Sequence, residues 1–169
     1  MKRRLGKIYA KRKRDSAQPQ YLIAAFFAIL SFALFITPAI AHHSFAMYDQ
    51  AKTLTFTGVA TRFVAQANHA ELHFVPLGPD GKPMRGADGK PITWGVEMAG
   101  AAAVAQQGIT AKTFAAGTIF SVKMNPLRDG NNFGSRVGAI AKCPANKVPA
   151  AGKHCDSVEG GEILGGNSF

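Results

Sequence analysis

Leu54-Thr55-Phe56-Thr57-Gly58-Val59-Ala60-Thr61-Arg62-Phe63-Val64 is β-branched and aromatic, with an apolar period near two that changes side around Gly58. A period of two marks a half-buried strand. A glycine at the switch suggests a bulge or sharp coil there, as small barrels need. Downstream, residues 70–75 alternate with Leu72 and Phe74 on one side and Glu71, His73 and Val75 on the other, and Pro76 ends the run or places it at an edge. Two turn signals follow, Gly78-Pro79-Asp80-Gly81-Lys82 and Asp88-Gly89-Lys90-Pro91, which predict a protruding hairpin loop. Residues 92–98 form a third strand pattern with Ile92, Trp94, Val96 and Met98 inward, Trp94 as a core anchor.

Residues 99–107 are alanine-rich with Gly108 placed as a C-cap, the pattern of one short helix. Strand patterns resume at 118–124 and, after a long turn through Asn125–Asn132, at 135–140. The expected fold is mainly β: a small five-stranded, OB-like Greek-key barrel with one short helix between strands 3 and 4, preceded by a signal helix. There is no internal repeat.

The chain upstream of the first strand has a different character. A basic stretch from Lys2 to Arg14, an apolar run over 21–36, Pro38 and then Ala39-Ile40-Ala41 make the three parts of an export signal. The apolar run is shorter than the about 20 residues of a spanning helix. Cleavage after Ala41 is therefore expected, with residues 1–41 as signal peptide and a periplasmic or secreted product beginning at His42. The alternative is an inner-membrane anchor over 21–40 if the signal stays uncut. Residue 42 is His and not Cys, so no lipid attachment follows, and Arg3-Arg4 lies too far from the apolar run for twin-arginine export.

The whole-chain charge of +10 mostly belongs to that leader. Residues 1–41 hold eight basic residues against Asp15, or +7; residues 42–169 hold twelve basic against nine acidic, or +3, and the twelve are scattered. A basic footprint for nucleic acid is thus absent from the mature part, and export disfavours single-stranded nucleic acid, the common ligand of such barrels. Residues 42–169 suffice for one domain. The barrel is expected over 42–141 and a disulfide-tied or flexible tail over 142–169. Cys143 and Cys155 read first as a disulfide in an exported chain; the competing reading, soft-metal binding with His154, lacks a fourth ligand.

The histidines carry the main chemical idea. A freed His42 chelates through its amine and imidazole together, and His43 adds a second ring. Nitrogen-only ligation suits copper(II), and less selectively nickel or zinc. His69 and His73 lie about 13 Å apart on a strand at about 3.3 Å per residue, so only one can join. His69, at the turn, is the candidate, and the proposed metal set is His42, His43 and His69. The plain alternative is that His42 and His43 belong to a flexible end while His69 makes a structural hydrogen bond.

No catalytic constellation stands out. Ser44 has no Gly-x-Ser-x-Gly elbow and Asp49 is too generic to complete a triad. Glu71 and Glu97 fall on outer strand faces, where solvation is the usual outcome. No phosphate-cradling loop or dinucleotide fingerprint is present.

His42-His43-Ser44-Phe45-Ala46, Asp49, Gly58-Val59, Asn68-His69-Ala70, Trp94 with Glu97, Gln107-Gly108 and Pro126-Leu127-Arg128-Asp129-Gly130 together resemble an uncharacterised family of small exported bacterial proteins whose mature chains open with HHSFA. The likeness covers about residues 41–140, with two departures. His69 directly follows Asn68 where the family pattern has Asn-Pro-His, and the cysteine-bearing tail lies beyond the family's usual end. The resemblance implies an exported one-domain β-protein without assigned activity. Three functional classes follow: a noncatalytic binding or accessory module for an unknown small ligand or protein, a copper(II)-binding protein, and an enzyme of unknown type. Contact with a membrane is expected only through an uncleaved signal.

Overall fold

A computed structural model describes Ile23, residues 43–166 and Phe169. The expected signal helix lies outside the described residues, Ile23 apart. The barrel is contained in one compact unit, His42–Phe169. Among the described residues no helix is long and apolar enough to cross a membrane.

Within residues 43–166 the first element is a single helical turn, α1 (His43–Ala46). Then come β1 (Leu54–Val64), β2 (Glu71–Pro76), β3 (Trp94–Glu97), the short helix α2 (Ala101–Gln106), β4 (Ile119–Pro126), β5 (Phe133–Lys142), a 3-10 turn at Cys155–Ser157 and β6 (Glu162–Leu164). The strands run β3-β2-β1-β4-β5-β6, and a parallel pairing of β3 with β5 closes the first five into a barrel. This is the expected mainly-β, OB-like arrangement with one short helix between strands 3 and 4.

β1 makes the barrel possible because it serves two partners. Leu54 to Val59 pair with β4, and Gly58 to Val64 pair with β2. The bulge falls later than Gly58. Ala60 pairs with Phe74 and Arg62 with His73, so Thr61 is the extra residue. Gly58 itself stays in register with both Pro76 and Phe120, and its missing side chain leaves room for the Phe74 ring. The apolar change of side is produced by that inserted residue: Leu54, Phe56 and Ala60 pack on the core before Thr61, and Phe63 takes the same face after it.

The interior is filled from every strand. Leu72, Phe74, Val96, Phe120, Val122, Met124 and Ile140 are fully buried. Phe120 meets Phe74 and Phe114 edge-on, with ring centroids 5.3 and 5.5 Å apart. α2 contributes Val104, its buried residue, and ends before Gly108 at φ 78°, as the C-cap pattern predicted. Trp94 packs at the margin of this core, 4.6 Å from Phe56 between centroids, rather than at its centre.

The tail is stapled and structured. Cys143 and Cys155 are disulfide-bonded and buried, and β6 pairs antiparallel with the end of β5. The hairpin loop between β2 and β3 carries two like turns. Asp80 accepts from the Lys82 N–H and Asp88 from the Lys90 N–H, at 3.1 and 3.0 Å.

Candidate functional site

β2 and β3 place two carboxylates side by side. Glu71 lies directly opposite Glu97, and because Leu72 and Val96 point inward, both glutamates take the outer face. They are less solvated than expected, with side chains 25% and 20% exposed. Each has an imidazole partner. His73, two residues along the same face, has Nε2 2.9 Å from Glu71 Oε2, and His69 has Nδ1 3.3 Å from Glu97 Oε1. Arg62 Nη2 stands 3.3 Å from the same His73 nitrogen. One ring nitrogen cannot both donate to Glu71 and accept from Arg62. The shorter contact favours donation to Glu71, and Arg62 then acts as a nearby positive charge.

Tyr48 reaches this acidic pair from another segment. It is buried, and burial first, then the charge and hydrogen bonding of Glu97 and the charge of Glu71, push its pKa above the ordinary tyrosine value. The segment bearing it is held along the turn between β4 and β5. Tyr48 bridges Leu127, the Asp49 N–H donates to Pro126 O at 2.8 Å, and Arg128 donates from its backbone N–H to Met47 O and from Nε to Ala46 O.

Beside these groups lies a cleft of about 370 Å³. Phe45 from α1, His69 from the β1–β2 turn, Glu97 and Met98 at the end of β3, and Ser135 and Arg136 from β5 line it. Four separate stretches of chain thus meet at one opening. Arg136 donates from Nη2 to Gln107 Oε1 at 2.9 Å. Burial lowers its pKa.

A second polar group anchors the tail. Ser121 is fully buried, accepts from the Cys155 N–H at 3.0 Å and lies 2.7 Å from Thr57 Oγ1, which is 3.1 Å from His154 Nδ1. The Ser121 hydroxyl and the Thr57 hydroxyl share one hydrogen bond, and Thr57 shares the next with the His154 ring. These bonds hold the disulfide-bearing segment against β1 and β4.

Of the candidate metal set, His42 lies outside the described residues, and His43 opens α1 two residues before Phe45. His69 lines the cleft, and its contact there is with Glu97, not His73. Among the described residues no group of three or more His, Cys, Asp or Glu side chains is arranged to hold a metal ion. Asp49 accepts from the Ala51 N–H and pairs with Lys52, 3.5 Å away, a local turn with no part in the cleft.

Tyr48 and Arg136 were not legible as site residues. Tyr48 sits in an unpatterned connection, and Arg136 is one of twelve scattered cations until β5 is paired with β3. A search of curated proteins and of solved structures finds no match. The family comparison does match, over residues 29–136, which spans the barrel as far as Arg136 and leaves out the disulfide-bearing tail: the chain belongs to a family of unknown function, DUF6152.

Proposed function

We propose that the mature protein is an exported, noncatalytic binding module of the periplasm whose ligand occupies the cleft between Phe45 and Arg136. The observation that carries this reading is the convergence there of four chain segments with both signs of charge, Glu97 and Arg136, and apolar surface from Phe45 and Met98. Concave sites that combine apolar lining with a few placed polar groups are where small ligands bind, and OB-like barrels use the face of strands 2 and 3 for recognition. The polar groups present suit hydrogen bonding and charge pairing. Titrating isotope-labelled protein with the small-molecule fraction of its native periplasm tests the reading. Amide shifts clustered at residues 97–100 and 135–136 are expected. Shifts confined to the hairpin loop or the tail contradict it.

A second reading is favoured by one observation: Phe45, two residues after His43, lines the same cleft as His69. In that reading the freed N-terminus, His42 and His43, joins His69 around one copper(II) ion. Copper titration of protein with a verified His42 terminus, compared with a form bearing one extra Met, decides it. Equal affinity in the two removes the terminal amine as a ligand.

A further inference from the structure

We infer that the free edge of β1 at Thr55 takes up an extended acidic peptide of a partner protein as an added strand. The main chain of β1 alternates in the direction of its bonds. Thr57 O accepts from the Leu77 N–H at 2.8 Å on the β2 side, whereas Ala60 donates to Thr118 O and accepts from the Gly117 N–H on the β4 side. Register with β4 is unbroken from Leu54 to Val59, so Thr55, two residues before Thr57, also aims its N–H and C=O away from β4. No strand meets them there. Pairing with β2 begins only at Gly58, and beyond Leu77 the chain turns back, closed by the bond from the Gly78 N–H to Lys82 O. Thr55 is exposed, and neither main-chain group has a bond to that side among the described residues.

An unpaired strand edge is a template for another chain, and this one opens into a groove. Residues 55–57 form one wall, the first hairpin turn from Leu77 a second, and the tail from Val148 to His154 a third. The tail wall is held in place. His154 Nδ1 lies 3.1 Å from Thr57 Oγ1, Cys155 is bonded to Cys143, and a Cβ placed on Gly81 would lie 3.2 Å from Val148 Cγ1. A wall already fixed spares the cost of ordering it on binding. The groove measures about 200 Å³, below the roughly 300–1,000 Å³ of sites that enclose a whole small molecule. It suits a few residues of a chain that runs on past it. Charge narrows the partner. Lys153 supplies the formal charge of the lining, and Lys82 and Lys147 stand next to Gly81 and Val148 at the rim. All three lysines are exposed, and none joins an ion pair among the described residues. The neighbouring carboxylate, Asp80, already accepts from the Lys82 N–H. Main-chain pairing gives such a complex its affinity, and the lysines with apolar Phe56 and Val148 select its side chains.

The test follows backbone amides of the mature, disulfide-intact protein at about 0.1 M salt. The probe is a blocked hexapeptide alternating glutamate and valine, with its lysine counterpart and a fully N-methylated form as controls. Saturable shifts are expected below about 1 mM at residues 55–57, 78–81 and 148–153, and neither control is expected to produce them. Thr55→Pro removes the free N–H without touching the β4 ladder and is expected to weaken the acidic peptide about tenfold. Lys153→Glu is expected to weaken it about as much and to let the lysine peptide bind. Should Thr55→Pro fail to fold, the N-methylated peptide makes the same test from the ligand's side. The inference is overturned by the absence of saturable shifts, by equal binding of the methylated peptide, or by an acidic peptide indifferent to Lys153→Glu. Concentration-dependent shifts at Thr55 in the protein alone overturn it as well, giving the edge to a second copy. The groove and the cleft between Phe45 and Arg136 share no lining residue, so this inference and the binding-module reading stand or fall separately.

Discussion

A methyl group added at Gly58 would stand 2.5 Å from Phe74 Cδ2 and 3.0 Å from the Val75 carbonyl. Gly58→Ala is therefore expected to cost about 1–3 kcal/mol in urea unfolding, because the ring that must yield is itself packed against Phe120. A wild-type midpoint in the variant would mean the strand has slack there. Tyr48 offers a pH signature. Its raised pKa means the folded state keeps the phenol proton that the unfolded chain gives up near pH 10. This contribution is fully present below about pH 10 and declines at up to about 1.4 kcal/mol per unit as pH rises toward the folded value. Tyr48→Phe is expected to flatten that alkaline limb. An unchanged alkaline limb would place the titration elsewhere. At this scale the sequence showed which residues face inward, Leu72, Phe74, Val96 and Met98 among them, because alternation encodes it. It hid the contacts of Tyr48 and Arg136, which depend on partners far along the chain.

Strand and helix positions were readable wherever a period ran for several residues. The five barrel strands and the helix α2 fall where alternation, turn signals and Gly108 put them, with boundaries moved by one or two residues. Gly58 misled about the bulge because a glycine can serve close packing as readily as an inserted residue. β6 escaped because three residues amid glycines carry no measurable period; it exists through its pairing with Ile140 to Lys142 and the nearby disulfide. The tail should behave as a separable element. Replacing both Cys143 and Cys155 by Ala is expected to cost about 3 kcal/mol and to expose the amides of Glu162 to Leu164 to hydrogen exchange while β1 to β4 stay protected. Equal loss of protection in barrel and tail would show that the staple supports the whole domain. Ser121→Ala, which leaves the Cys155 N–H without an acceptor, should loosen the same segment by about 1–3 kcal/mol.

For the molecule as a whole, the barrel brings the region just after His43 and the end of β3 to one opening, although some fifty residues separate them in sequence. That convergence could not be read from composition, since it follows from the parallel closure of β3 on β5 and from the anchoring of Tyr48. It also gives the export signal a structural consequence in the proposed account: cleavage after Ala41 would release a new terminus close in sequence to the cleft wall. Non-denaturing intact mass of the protein recovered from its native host tests this account most directly. The account predicts a chain starting at His42, with one disulfide and a small non-covalent ligand lost on gentle activation. A chain starting at Met1, or one carrying no ligand from its native setting, would contradict it.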